Sequence, residues 1–297
     1  MSSSQEGERM SSSQGGEGMS SLVGGTAVVT GGGSGLGAAM ARLWAGEGMR
    51  VAALDIDAAA ASGTAEAVRA AGVESWSAGV DVADRAALDA AAATVHDTFG
   101  PVNVVCANVG VQHFDKLEDL TPETWHWVLG VNVVGTANTV NAFLPLLRAA
   151  DGPRHIVLTS SVASVIPSPR QGVYVVSKFA VTGYADVLRL ELAADGITVT
   201  TVFPSGMLTN HLGSSLAARP DDLGPGELRD DDIAVVSSTS GDLAVELTTA
   251  EDAVSRLVAA VVAGDPYHFT HGDRFDELVA RHRALEAAYE EMRAARG

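Results

Sequence analysis

Several residue types are scarce in this chain. Among 297 residues there is a single cysteine, Cys106, there are two lysines, Lys116 and Lys178, and there are four tyrosines. One cysteine excludes an intrachain disulfide and fits a reducing compartment, so a cytoplasmic location is expected. Cys106 lies in the apolar run VNVVCA, where a buried structural thiol is the ordinary reading and a reactive thiol the sharper one. No uninterrupted apolar run reaches the roughly 18 residues that would span a membrane, and no basic-then-apolar leader of a signal peptide opens the chain. Basic side chains are few as well, 19 against 37 acidic ones, for a net charge of −18. Nucleic acid and anionic membrane need clustered Lys and Arg, so neither is an expected partner.

What is present describes a globular protein, 46% hydrophobic and 19% charged. A chain of this length can bury about three quarters of its unfolded surface within one domain. Residues 1–20 repeat MSSSQEGER as MSSSQGGEG, with no apolar stripe. Residues 1–22 are therefore read as a disordered tail, and 23–297 as one domain.

Apolar runs rich in β-branched residues stand at 26–30, 51–54, 102–106, 155–159 and 197–203, with a short last one at 267–271. Ala-rich, helix-like stretches separate them at 36–47, 58–71, 84–98, 122–148 and 172–194. This alternation predicts an α/β fold, a doubly wound parallel sheet of about seven strands with helices on both faces. The runs are continuous rather than alternating, as strands buried on both faces require. Residues 205–250, rich in Pro, Gly and Asp at their centre, read as a lid over a ligand crevice. Thr249-Ala-Glu-Asp252 reads as a capping box opening a helix through Val262. In 274–293 an apolar stripe of Phe275, Leu278, Val279, His282, Leu285, Tyr289 and Met292 is expected to pack on its own domain or on a partner subunit.

The stretch TGGGSGLG, residues 30–37, puts five glycines between a strand and a helix. Amides at a helix N-terminus carry partial positive charge and can cradle a pyrophosphate. Gly31 permits the tight turn, Gly35 lets backbone approach a phosphate, and Gly37 lets the helix pack closely on the strand. Asp55, 18 residues past Gly37, stands where a carboxylate accepts from both adenosine ribose hydroxyls and repels a 2′-phosphate. Position 34 is Ser and no Arg or Lys follows at 56–59, so NAD is expected and NADP less so. Asp57 reads as the cap of the next helix.

Lys178 follows Tyr174 by four residues in YVVSK, on one helix face. A nearby ammonium favours a phenolate, which would let Tyr174 exchange a proton with an alcohol or carbonyl near neutral pH.

In this order, TGGGSGLG, Asp81-Val82, ANVG at 107–110 and YVVSK resemble the short-chain dehydrogenase/reductase family, over about residues 23–209. The resemblance implies a single dinucleotide-binding domain and a four-residue catalytic set. Tyr174 matches the acid/base and Lys178 its pKa-lowering, ribose-binding partner. In LTSSVAS, Ser161 precedes Tyr174 by 13 residues, the family's interval, and is preferred over Ser160. Asn132, in WVLGVNVVGT, matches the asparagine that orders a water beside the lysine. Asp81 and Val82 would contact adenine, Asn108 and Gly110 lie near the adenosine ribose, and Thr209 matches the threonine at the nicotinamide carboxamide. Gly33, Ser34, Leu36, Ile56, Pro204 and Gly206 complete the implied cofactor set. Two positions depart from the family pattern: Ala107 replaces its usual Asn, and Ser205 stands where glycine is usual. Neither removes a catalytic group.

The expected activity is NAD-dependent interconversion of a secondary alcohol and a ketone. Its pocket would be lined by 111–114, with His113, by 162–166, with Val162, by Arg170 and Val173, and by the lid, with Met207. These are mostly apolar, so a hydrophobic or aromatic substrate is expected. His113 and His211 are both candidates to touch substrate, with a solvated rim position the ordinary reading, and His268 and His271 are read as no metal site. A non-catalytic dinucleotide sensor, or a non-redox lyase or epimerase on the same scaffold, is the alternative. The resemblance also implies a homo-oligomer, a tetramer or a dimer.

Overall fold

Strands form where β-branched residues can be covered from both sides. The computed structural model describes residues 22–224, 226, 229, 247–272 and 274–295. The expected tail, apart from Leu22, and the lid between 230 and 246 lie outside the described residues. β1 (Thr26–Thr30), β2 (Arg50–Asp55), β3 (Ser75–Gly79), β4 (Val104–Ala107), β5 (Arg154–Thr159), β6 (Ile197–Phe203) and β7 (Tyr267–Phe269) form one sheet. Its order is β3-β2-β1-β4-β5-β6-β7, and every pairing is parallel.

Successive residues of each strand enter opposite cores, which explains the continuous apolar runs. Val28, Val105, Ile156 and Leu158 pack on one face with α3 (Arg85–Phe99), α5 (Gly135–Arg148) and α6 (Gly172–Leu192), through Leu88, Phe143 and Val181. Val29, Cys106, Val157 and Val202 pack on the other with Met40 and Trp44 of α1 (Gly35–Gly46) and with Val254 and Leu257 near the C-terminal end. Cys106 is completely buried and accepts a hydrogen bond from the Trp44 indole at 3.2 Å. Burial pushes its thiol up to about 12, so the structural reading of this cysteine holds.

The helices start where the sequence supplies a cap. Asp57 accepts from the Ala59 and Ala60 amides at the head of α2 (Ala58–Ala70), and Asp84 does the same for α3 with Ala86 and Ala87. Thr249 caps α8 (Ala250–Val254) through the Asp252 amide; the Asp252 carboxylate accepts the Thr249 hydroxyl instead of returning to the backbone. Four expectations change in detail. The stretch 122–148 is not one helix: α4 (Pro122–Leu129) and α5 are joined by a π-helical turn, Gly130–Val134. The helix expected through Val262 breaks at Ser255–Arg256 into α8 and α9 (Leu257–Ala263). The last strand ends at Phe269 rather than residue 271. The final helix, α10 (Phe275–Ala294), buries none of its residues; Leu278 docks against Val162, Ile166 and Phe203 and Arg281 lies over the Phe179 ring, while Phe275, Leu285, Tyr289 and Met292 stay exposed. Among the described residues no helix is long and apolar enough to cross a membrane.

All strand C-termini lie at one edge of the sheet, and the strand order reverses between β1 and β4. That reversal opens a crevice between the loops that follow the two strands. At the opposite edge, the buried His155 of β5 pairs its Nδ1 with the Thr198 hydroxyl, and burial pulls its pKa down to about 4. The folded value lies below the unfolded ~6.5, so the unfolded chain takes up the proton first and stability falls as pH drops through this window. Urea unfolding at pH 7.5 and pH 5 is expected to show wild type losing about 2 kcal/mol more than His155→Gln. Equal losses in the two proteins would contradict the assignment.

Candidate active site

One cleft of about 1440 Å³ runs along the C-terminal edge of the sheet. Its floor begins at the glycine turn. Gly31 has φ +66°, and a Cβ on Gly37 would lie 2.0 Å from the Gly31 carbonyl oxygen, so the helix closes on the turn only because Gly37 has no side chain. Ser34 precedes α1 in extended backbone, makes no capping hydrogen bond with its side chain, and is followed by no acidic residue in the first turn. The helix therefore presents an anion-ready N-terminus to the cleft. Gly31, Ser34, Gly35 and Leu36 reach the cleft wall; Gly33 and Gly37 lie behind it. Gly33 donates its amide to Asp55 Oδ2 at 2.9 Å, while Oδ1 accepts from the Asp57 amide at 3.1 Å. Asp55 thus tethers the glycine loop to the end of β2 and still faces the cleft beside Ile56.

Further along, Asp81, Val82, Asn108 and Gly110 line the same cleft, as do Pro204, Gly206, Met207 and Thr209 after β6. Asn108 is fixed by the Thr159 hydroxyl at 3.0 Å and, through its amide, by Thr30.

The polar cluster expected around YVVSK comes together here. Ser161, Val162, Tyr174 and Lys178 all line the cleft. Both serines line the cleft; the Ser160 hydroxyl bonds to the Lys178 carbonyl and Thr182, whereas that of Ser161 accepts from the Ala163 amide and faces the Tyr174 phenol. Lys178 is 3% exposed; its ammonium donates to the Thr159 carbonyl at 2.9 Å and stands 5.7 Å from the centre of the Tyr174 ring. Burial lowers the Lys178 pKa to about 8. The phenol carries a net shift opposite to the expected one. Burial raises the Tyr174 pKa, and its hydrogen bond with Ser161 offsets only part of that rise.

Asn132 does not reach the cleft wall. It sits fully buried at the centre of the π-helical turn, behind the lysine. Its Oδ1 accepts from the Val111 amide at 2.7 Å, and its Nδ2 donates to the Val111 carbonyl and the Ser177 hydroxyl, both at 2.9 Å. π-Helical turns inside α-helices are frequent at functional sites. The pair Gly130 and Gly135 flanking VNVV is the signal in the sequence that marked it.

The substrate end differs most from expectation. Val111, Gln112, Phe114, Val162, Ala163 and Ile166 do line it. His113 does not; its Nδ1 lies 3.2 Å from Arg219, whose guanidinium also covers the Trp127 ring. Val173 is buried against Val111 and Val128, and Arg170, at φ 62°, carries the bridge between Asp115 and Gln171, so neither reaches the cleft. Trp127 and His126 line it from α4 without having been singled out. His211, at the start of α7 (His211–Ala217), is a wall residue close to Tyr174 rather than a solvated rim. Among the described residues, no three His, Cys, Asp or Glu side chains gather as a metal site.

Gly37→Ala places a methyl group inside the Gly31 carbonyl's radius. The melting temperature is expected to fall by about 5 °C and binding of NADH, followed by its fluorescence, to be lost. An unchanged melt with intact binding would show that the turn tolerates the side chain.

Residues 25–220 match the short chain dehydrogenase family. Among curated proteins, the chain is 36% identical to a 3-dehydrosphinganine reductase from Arabidopsis thaliana over 199 residues, which cover 65% of this chain and 58% of that protein. It is also 36% identical to glycine betaine reductase from Emericella nidulans over 192 residues, 65% of this chain and 15% of the relative. The chain thus spans less than two thirds of the length of these relatives. Among solved structures, a short chain dehydrogenase/reductase from Burkholderia phymatum in complex with NAD superposes with a TM-score of 0.82 at 29% identity, covering 90% of this chain and 96% of that one. Carveol dehydrogenase from Mycobacterium avium, in complex with NAD, gives 0.71 at 26% identity, covering 84% and 95%. With its parallel seven-stranded sheet, glycine turn and Tyr-Lys pair, the chain belongs to the short-chain dehydrogenase family of oxidoreductases.

Proposed function

We propose that this protein is an NAD-dependent oxidoreductase that interconverts a secondary alcohol and a ketone on a hydrophobic or aromatic small molecule. The observation that carries the reading is the convergence of Ser161, Tyr174 and Lys178 on the wall of the cleft whose other end is the glycine turn.

The residues present fit a dinucleotide. The glycine-rich turn at Gly31–Gly37 would take the pyrophosphate, and Asp55 would take the adenosine ribose hydroxyls with its free lone pairs. Asp81 and Val82 flank the adenine, Lys178 reaches the second ribose, and Thr209 holds the carboxamide. A carboxylate at the end of β2 supports NAD over NADP, because a 2′-phosphate would meet its charge. The Burkholderia and Mycobacterium structures with NAD are in line with this. When bound, NAD accepts or supplies the hydride.

The chain's own groups manage orientation and the proton. Ser161 donates to the substrate oxygen and holds it beside the Tyr174 phenol. Tyr174 exchanges the proton with that oxygen. Burial alone keeps the phenol protonated, which suits it to donate to a ketone; for alcohol oxidation it must first lose its proton, and the Lys178 ammonium stabilises the phenolate then formed. Asn132 braces this arrangement by tying Val111 to Ser177, one residue before Lys178. Apolar Val162, Ile166 and Trp127 exclude water and select an apolar body.

The reading extends to a homo-oligomer, a tetramer or dimer, supported by the exposed apolar side chains of α10, and to a cytoplasmic location, supported by the single cysteine. It also includes one domain over 23–297.

NADH absorbance at 340 nm, followed with NAD or NADP and a panel of hydrophobic secondary alcohols and ketones, tests the proposal. Turnover that prefers NAD and drops at least about a hundredfold in Tyr174→Phe is the expected result. Full activity in the variant would remove Tyr174 from the mechanism, and NADH binding without turnover on any compound would favour the sensor or non-redox alternatives.

A further inference from the structure

Where α6 borders the cleft, three residues line it: Gln171 at the cap, and Tyr174 and Lys178 within the helix. Spacings of three and four put them on one helix face, and that face is turned to the cleft. The row has a direction. Lys178 is the end nearer the glycine turn: its ammonium bonds the Thr159 carbonyl, the Thr159 hydroxyl bonds Asn108, and a Cβ on either Gly31 or Gly37 would meet the Asn108 amide. Gln171 is the far end, about 4.5 Å along the axis beyond Tyr174 at a rise of about 1.5 Å per residue. Its backbone is held there. It bridges to Asp115, whose amide donates to the Arg170 carbonyl at 2.8 Å, and its carbonyl accepts from the Val175 amide at 2.8 Å. Its side chain is not held. The carboxamide does not cap α6 and makes no hydrogen bond among the described residues. The residue is half-buried, and its amide is not among the unbonded polar groups shut off from solvent, so it keeps open surface. Val111, Phe114, Val162 and Ile166 line the same end of the cleft. An apolar body filling that end displaces the water the amide bonds. A substrate with no polar group there leaves the amide unpaired, and one that has such a group is favoured.

We propose that Gln171 is a specificity-determining residue whose amide hydrogen-bonds an uncharged polar group on the arm of the substrate that runs toward the head of α6, away from the cofactor. The inference rests on the hydride-transfer reading above and narrows it. An amide both donates and accepts and carries no charge, so a hydroxyl, a carbonyl or another amide is its match. The axial offset of about 4.5 Å corresponds to about three or four carbon–carbon bonds. The preferred compounds therefore carry a second polar group a few bonds from the alcohol or ketone that Tyr174 serves, within an otherwise apolar molecule.

Matched 2-alkanones test this, each hydroxyketone set against the ketone in which a methyl group replaces the hydroxyl. The pairs are 4-hydroxy-2-butanone with 2-pentanone, 5-hydroxy-2-pentanone with 2-hexanone, and 6-hydroxy-2-hexanone with 2-heptanone. With NADH, wild type is expected to favour at least one hydroxyketone over its partner by about fivefold or more in kcat/KM. Gln171→Met keeps the length of the side chain and removes the amide. In that variant the preference should fall to about onefold, chiefly through KM, while the plain ketones keep their kcat/KM within about twofold or gain. Its melting temperature is expected to match wild type and its NADH affinity to stay within about twofold, because the amide has no partner in the protein. A melt lower by several degrees, or loss of NADH binding, makes Gln171 a structural or cofactor group and overturns the proposal. Turnover with no preference in wild type, or with the same preference in the variant, overturns the role of Gln171 and leaves hydride transfer standing. Titrating the same series into the protein with NADH bound, followed by NADH fluorescence, separates the two readings. A preference in binding that needs Gln171 but comes without turnover keeps the role of Gln171 and counts against hydride transfer. Neither binding nor turnover of any member overturns the inference.

Discussion

A single buried cation organises the cleft. Lowering an amine from 10.5 to about 8 corresponds to about 3 kcal/mol against keeping Lys178 charged. One described hydrogen bond, to the Thr159 carbonyl at the end of β5, answers that cost. The site is arranged around the remainder. A Cβ on Gly110 would lie 3.0 Å from the ammonium. Ser177 links the helix turn that carries Lys178 to Asn132 and to the Tyr174 carbonyl. The lysine side chain is thus tied to the end of β5, and the residue before it ties α6 to the π-helical turn, while the ammonium's charge is left able to act on whatever enters the cleft.

The glycine turn is the other fixed end. Between it and the lysine the sheet supplies a rigid edge, because its central strands are covered by α1, α8 and α9 on one face and by α3, α5 and α6 on the other. Rigid scaffolds with variable loops at one edge are how many chemistries share one fold. The loops that bound the substrate end here, at 111–114 and 205–224, are joined by specific contacts, Gln112 to Ser215 and His113 to Arg219.

Much of this was legible in the sequence where local chemistry and tertiary need coincide. Continuous apolar runs declared doubly covered strands, glycines declared the close approach of Gly37 to Gly31, and Asp57 announced a cap. β3 gave no such signal, since SWSAG is a half-exposed edge strand whose pairing with β2 is imposed by the sheet. The π-helical turn was hidden because its residues have ordinary helical periodicity, and only the flanking glycines hint at it. The Tyr174 shift was misjudged for a different reason: spacing places an ammonium near a phenol, but burial, which sequence spacing does not measure, outweighs it. His211 was undervalued in the same way. A histidine among polar loop residues looks solvated until the helix it begins is seen lying across the cleft. The stripe of α10 shows the converse, since periodicity alone does not say that a helix docks, and here only Leu278 of that stripe does.

We propose that Lys178 is held in place for the cofactor and not for stability. Lys178→Met separates the two, because an apolar side chain of similar length fills the site without the charge. Thermal melts and NADH titration of that variant are the most direct test. The account predicts a melting temperature equal to or above wild type together with NADH binding weakened by about tenfold or more. A variant that melts several degrees lower yet binds NADH as tightly as wild type would contradict it, and would make the lysine a structural group.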